Sequence, residues 1–332
     1  MGLLIDGNWQ ARESAQATRE GQFLRPESAF RNWVTANGRP GPTGHDGFAA
    51  ARGRYHLYAS YACPWAHRAL IMRALKGLED IVSVSIMHWH IGDQGWGFAP
   101  GPGVIGDPIF GDHHLHEVYS HADPAFTGRA TVPALWDRHT QTIVNNDAGD
   151  IPRMLNRAFT ELGANEADFY PLARRADIDA WNAVVQLSVN EGAYRAGFAQ
   201  TGAAHEKALG ALFDTFDALE AHLAQSRFLC GESLTEADIR LFPTLLRFDT
   251  VYYDLFRCNR KHLADYPNLW AYTRDIYQWP GIAATVDMTH IRRHYYESLT
   301  TLNPTGTVPS QSLPSLDMPV DRGKDVSGLL MF

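Results

Sequence analysis

The chain has 332 residues, with 29 Lys and Arg against 37 Asp and Glu for a net charge of −8, a balance that argues against a dedicated nucleic-acid binder and a polybasic membrane anchor. Its 45% hydrophobic and 20% charged residues suit a sizeable core, and the length fits two domains at about 150 residues each. No apolar run approaches the roughly 18 residues of a membrane span, residues 1–10 do not read as a signal peptide, and three cysteines (Cys63, Cys230, Cys258) are too sparse for a disulfide scaffold. The expectation is a soluble, cytoplasmic protein.

In chain order, residues 1–53 form an N-terminal extension. It mixes apolar anchors (Phe23, Leu24, Phe30, Trp33, Phe48) with the turn-rich stretch 37–42 and wraps a neighbouring domain rather than forming one. A first domain spans 54–165. Tyr55 to Ser60 has strand composition and runs into Cys63-Pro64, then into helix formers from Trp65 to Lys76. Proline suits the first helical position and Gly77 the stop. Ile81 to Trp89, rich in β-branched and aromatic residues, reads as a second strand, and 90–128 as a long polar loop. Residues 131–137 and 142–144 suggest a hairpin, closed by a helix from about Asp147 to Leu162. The order is β-α-β followed by β-β-α.

From 166 to 302 the pattern becomes helical. Leu209, Leu212, Phe213, Phe216, Leu219 and Leu223 lie on one face of an amphipathic helix. Thr235 and Asp238 match a capping box, with a bend expected at Pro243 in the helix that follows, and the last clear helix runs from about Pro267 to Gln278. The tail 303–332, punctuated by Pro304, Pro309, Pro314 and Pro319, reads as extended.

The chemistry concentrates at Cys63. A thiol where a strand gives way to a helix faces unpaired amides and the positive end of the helix dipole. Both favour thiolate, making a nucleophile at neutral pH. Position 66 is alanine, so no second motif cysteine resolves a mixed disulfide and an external thiol is needed. Cys230 and Cys258 lack this context. Gly101 to Gly106 matches GxGxxG literally, but without the strand and helix that dinucleotide binding requires. His88, His90, His113, His114, His116 and His121 have neither HExxH nor cysteine-pair spacing, so no metal is expected. His67, four residues past Cys63, reads as a surface or packing residue.

Residues 55–68 (YHLYASYACPWAHR) closely resemble the motif of the xi-class glutathione transferases, the glutathionyl-hydroquinone reductases. Further matches follow in order: 95–98 (GWGF), 131–137 (TVPALWD), 265–269 (DYPNL), 274–278 (RDIYQ), 290–296 (HIRRHYY) and 303–306 (NPTG). The resemblance covers residues 20 to 310. It implies a thioredoxin-like N-terminal domain, a helical glutathione-transferase C-terminal domain and a homodimer. It also implies that Cys63 attacks the sulfur of a glutathionyl-hydroquinone and is regenerated by a second glutathione. Val132, before a proline (Pro133) expected to be cis, would pair its backbone with the tripeptide. Trp96 and Arg129 sit where the family contacts glutathione, and Tyr194, Tyr252 and Tyr295 match tyrosines lining the hydroquinone pocket.

One departure stands out: where the family usually places Glu-Ser to grip the γ-glutamyl end, this chain has Asp147-Ala148. The shorter acid and the missing hydroxyl imply weaker glutathione binding, or a different thiol such as mycothiol or γ-glutamylcysteine. A glutaredoxin-like or dehydroascorbate-type thiol transferase, and a non-catalytic ligand-binding protein of transferase fold, remain alternatives at this point.

Overall fold

A strand buried along its whole length must satisfy every polar tip it carries, and β5 (Tyr55–Ala59) does so. Tyr55 donates its hydroxyl to Ala49 O at 2.6 Å, and Tyr58 donates to Asp107 Oδ1 at 2.8 Å. His56 sits between the hydroxyls of Ser83 and Ser85 at 2.7 and 2.8 Å. Burial, helped by the charge of Arg138, pushes its imidazole down to about 3, so it is neutral. A computed structural model describes residues 2–11, 27–310 and 314–322. Phe23, Leu24 and the last residues of the tail lie outside the described residues.

The described residues divide into two compact units: 2–11, 27–165 and 284–308 form the first, and 166–283, 309–310 and 314–322 the second. In the first, β5 is flanked by β6 (Ser83–Ile86), parallel to it, and by β7 (Ala134–Asp137), antiparallel; β8 (Thr142–Asn145) completes a four-stranded mixed sheet in the order β6-β5-β7-β8. Helix α1 (Pro64–Leu75) follows β5, with proline at its start as the sequence leads one to expect. At the other end of β5, Arg54 grips the fully buried Asp137 with two bonds of 2.8 and 2.7 Å. Burial alone would raise the Asp137 pKa, but the bonds from Arg54, Thr140 and the His139 amide outweigh it and hold the pKa below its ordinary value.

Four features depart from the sequence expectation. The loop 90–128 contains α2 (Leu115–Ala122), capped by His114 and Glu117. The helix expected from Asp147 starts later, as α3 (Asp150–Arg157), because Asp147 stays outside it as an acceptor for its first amides. Residues 1–53 are not merely irregular: β1 (Leu3–Ile5) and β2 (Asn8–Gln10) form an antiparallel hairpin, and β3 (Trp33–Thr35) pairs in parallel with β4 (Gly47–Ala49). A further helix, α9 (Met288–Ser298), follows the one at Pro267. Where the sequence alone groups 166–302, the division falls before Ala284. Helix α9 packs in the first unit, with His294 Nδ1 donating to Trp89 O at 2.7 Å and Trp89 Nε1 donating to Glu297 at 3.0 Å.

The second unit is helical: α4 (Arg175–Val185), α5 (Glu191–Gly197), α6 (Gly202–Leu223), α7 (Glu236–Arg247) and α8 (Pro267–Tyr277). The apolar positions from Leu209 to Leu223 that define α6 in the sequence are its buried face. Thr235 and Asp238 form the capping box, and Asp238 also accepts from Leu229 N and the Tyr272 hydroxyl. Pro243 lies inside α7. The described part of the tail beyond 303 carries no helix or strand. Among the described residues no helix is long and apolar enough to cross a membrane.

Because the folded pKa of Asp137 is depressed, its contribution to stability is complete above the ordinary carboxylate value of about 4 and fades as the pH falls through the depressed one. Asp137→Asn should cost about 3 kcal/mol at neutral pH by leaving Arg54 half-paired. Thermal melts should show the gap from the parent narrowing below about pH 4.

Candidate active site

Cys63 occupies the cap position of α1 in extended conformation (φ −80°, ψ 119°). Its amide donates to Ser60 O at 3.2 Å, and its carbonyl accepts from His67 N at 3.0 Å, which ties the residue to both the strand end and the first helical turn. Pro64 has no N–H, so the positive end of the helix is presented by the amides of Trp65 and Ala66. The side chain is 8% exposed, and the thiol lies 3.7 Å from Val132 O, to which it donates. The Val132-Pro133 bond is cis, as the resemblance implies. The thiol therefore faces the backbone of a short non-helical segment, 127–133, that precedes β7.

That segment is pinned by Tyr119, which projects from α2 and is fully buried. Its hydroxyl donates to Thr131 O at 2.7 Å and accepts from Asn146 Nδ2 at 3.1 Å. Burial raises the phenol's pKa against the opposing pull of its hydrogen bonds, so it remains a donor. Asn146 is held in turn by Phe30, whose amide donates to Asn146 Oδ1 at 3.0 Å. The next residue is Asp147. One carboxylate oxygen accepts from the amides of Gly149 and Asp150 at 2.8 and 3.0 Å, and the other from the Ser28 hydroxyl at 3.1 Å. Burial pushes its pKa up, but those bonds and the charge of Arg31 pull it below the ordinary carboxylate value. Arg31 itself is bonded to Asp150 at 2.6 Å. Ala148 is half-buried beside this cluster.

Trp96 is 5% exposed and stacks on His294 of α9 (5.0 Å, 14°), which in turn meets the Tyr295 ring edge-on at 5.0 Å. The structure thus joins Trp96 and Tyr295 through one imidazole. Arg129 is half-buried in the segment that leads to Val132. Tyr194 and Tyr252 belong to the second unit, where their rings meet at 5.9 Å and both pack on Phe256.

Cys230 and Cys258 are buried, and burial pushes their thiols up to about 11 and about 12; none of the three cysteines is disulfide-bonded. His67 is a packing residue and not a surface one: it is fully buried and bonded to Thr285 Oγ1 at 2.9 Å. The described residues bring together no group of three or more His, Cys, Asp or Glu that could hold a metal ion. Tyr119, His294 and Ser28 escape a reading of the sequence. For Tyr119 a signal exists, since Leu115, Val118, Tyr119 and Ala122 have helical spacing, but the run is only eight residues long.

The family described as Glutathione S-transferase, N-terminal domain matches residues 62–158, and that described as Glutathione S-transferase, C-terminal domain matches 202–275. The glutathionyl-hydroquinone reductase YqjG of Escherichia coli K12 is 49% identical over 98% of this chain and 99% of its own length. A glutathione-bound structure of YqjG matches with a TM-score of 0.90 at 48% identity, covering 97% of this chain and 99% of that one. A Xi class glutathione transferase from Natrialba magadii matches with 0.87 at 40% identity, over 97% and 96% of the two chains.

Tyr119→Phe should cost about 1–3 kcal/mol, because Thr131 O and Asn146 Nδ2 lose a shared buried partner. Thermal or denaturant unfolding measures it, and a loss under about 0.5 kcal/mol would show that the bridge is not required.

Proposed function

Given that this chain belongs to the glutathione transferases, in the Xi class of glutathionyl-hydroquinone reductases, we propose that Cys63 cleaves S-conjugated hydroquinones by way of a mixed disulfide. The observation that carries the reading is a lone thiol at the start of α1, 3.7 Å from the carbonyl of Val132. A peptide-like thiol laid along 131–133 as an added strand would bring its own sulfur to Cys63.

In the first step the Cys63 thiolate attacks the conjugate's sulfur. A sulfur–sulfur bond forms, the carbon–sulfur bond breaks, and the ring carbon takes a proton as hydroquinone leaves. In the second step an external thiolate attacks the mixed disulfide, Cys63 is released, and the oxidised thiol carries away the pair of sulfurs. The two thiols supply the two electrons, so no metal or further reductant is needed. Ala66 stands where a resolving cysteine would be, which agrees with an external second thiol.

We assign Trp96, Arg129, Val132, Pro133, Asp147 and Ala148 to the low-molecular-weight thiol. Arg129 offers a cation to a carboxylate and Asp147 an anion to an ammonium. Glutathione is the first candidate, because it is bound in the structure of YqjG. Family resemblance assigns Tyr194, Tyr252 and Tyr295 to the hydroquinone, where a phenol can donate the proton that the leaving carbon takes. By the same resemblance the protein is read as a homodimer, and by its composition and sparse cysteines as cytoplasmic.

Ala148 contributes no hydroxyl, and three hydrogen bonds already occupy the Asp147 carboxylate. The γ-glutamyl end is therefore the weak part of the thiol site. Calorimetry on the Cys63→Ala protein with glutathione, γ-glutamylcysteine and mycothiol ranks the three. Ala148→Ser in that background should tighten glutathione binding about tenfold, the worth of one hydrogen bond to a charged group; an unchanged affinity would remove residue 148 from the thiol site. Mass spectrometry after incubation with a glutathionyl-hydroquinone should find the thiol adduct on Cys63 alone. Cys63→Ser should abolish cleavage, and retained turnover in that variant would overturn the mechanism.

A further inference from the structure

Two of the residues assigned to the thiol, Trp96 and Arg129, lie on separate loops. Neither belongs to the four-stranded sheet; their regular pairing is limited to single bridges, Gly92 with Gly95, Gly97 with His114 and Leu4 with Gly128. The Trp96 loop is held from one side, where Trp96 O accepts from Leu115 N of α2 and Gly97 O from His88 N, each at 2.9 Å; the hairpin adds a contact that reaches both loops. The β1–β2 hairpin touches the residue just before Trp96 and the one just before Arg129.

One edge of the hairpin is bonded to 126–128. Leu4 exchanges two backbone hydrogen bonds with Gly128, at 2.8 and 2.9 Å, and the Gly7 amide donates to Phe126 O at 3.1 Å. The Asp6 amide donates to Thr127 Oγ1 at 2.9 Å. These last two come from the hairpin's own turn, where Asp6 and Gly7 both have positive φ (47° and 75°), as a tight two-residue turn requires. Leu4 is 1% exposed. The other contact is the Trp9 indole. Its Nε1 donates to Asp93 O at 2.8 Å, and its ring stacks on His116 of α2 at 4.4 Å and 16°. Its outer edge covers Gly95, where a Cβ would stand 3.0 Å from the indole. A hairpin of two three-residue strands is marginal alone, so its docking and the order of both loops are coupled.

We propose that this hairpin is a strap that sets the distance between Trp96 and Arg129, and with it the affinity for the thiol, with Trp9 and Leu4 as positioning residues. The inference rests on the thiol assignment made above. Displacement by a fraction of an ångström at two contacts to one ligand is enough to weaken binding severalfold without touching the sulfur chemistry.

The test is Trp9→Ala, with Trp9→Phe as the conservative rescue. In the Cys63→Ala background, calorimetry with glutathione should show binding weakened about tenfold by Trp9→Ala and by less than about threefold by Trp9→Phe, which keeps the ring on His116 and Gly95. With Cys63 present, KM for glutathione should rise, while the rate of Cys63 alkylation by iodoacetamide, which needs no thiol site, stays that of the parent. Without ligand, amide exchange at Trp96 and Arg129 should quicken about tenfold in Trp9→Ala, with β5 and β7 unaffected. Parental glutathione affinity in Trp9→Ala overturns the strap, as does faster exchange spread through β5 and β7, which marks general destabilisation. A parent that binds glutathione but cleaves no conjugate overturns the proposed reaction and leaves the strap to its binding result. A parent that binds no glutathione overturns the thiol assignment, and the strap with it.

Discussion

The phenol of Tyr119 holds together what the site needs to have in place. Its hydroxyl is bonded both to the segment that ends in Val132-Pro133 and to the loop that ends in Asp147. Through the first bond it governs the backbone that faces Cys63; through the second it governs the anion near the start of α3. Asn146 is buried with it and Thr131 is half-buried, so losing the hydroxyl leaves Asn146 Nδ2 without a ready replacement. Helix α2 supplies this residue, and with α2 read as loop the link between these two segments has no visible origin.

Much of the scaffold was legible. The step from Tyr55–Ala59 into Cys63-Pro64 and a run of helix formers marks β5 and α1 because proline and cysteine there serve a helix start. The β7–β8 hairpin shows as two short apolar runs, and the α6 stripe by helical spacing. Helix α2 hides because its cap is His114 rather than Ser, Thr, Asp or Asn, the residues that normally advertise a start. The β1–β2 hairpin did leave a signal, Asp6-Gly7 between apolar neighbours. Its strands are only three residues long, too short for alternation to register. The place of Cys63 at the start of α1 was legible from the sequence, whereas Ser28, distant in sequence from Asp147, meets it only through the fold.

Two carboxylates of the first unit are each held in the charged form by several partners. Asp137 has Arg54, Thr140 and the His139 amide; Asp147 has two amides and a hydroxyl. His56, given only two serines, stays neutral. Position also separates the cysteines. Cys230 and Cys258 are in surroundings where burial is the first influence on the thiol, while Cys63 stands at the positive end of a helix.

The protonated state of Cys230 and Cys258 carries a consequence for the cell. Neither is nucleophilic at neutral pH, so under the proposed reaction an adduct on Cys63 would have no internal route of discharge. The fraction of protein carrying that adduct then rises whenever reduced thiol becomes scarce. If the proposed reaction holds, oxidative load would leave the chain in a capped form, the Cys63 sulfur shielded from sulfinic and sulfonic acid until the reductant pool recovers.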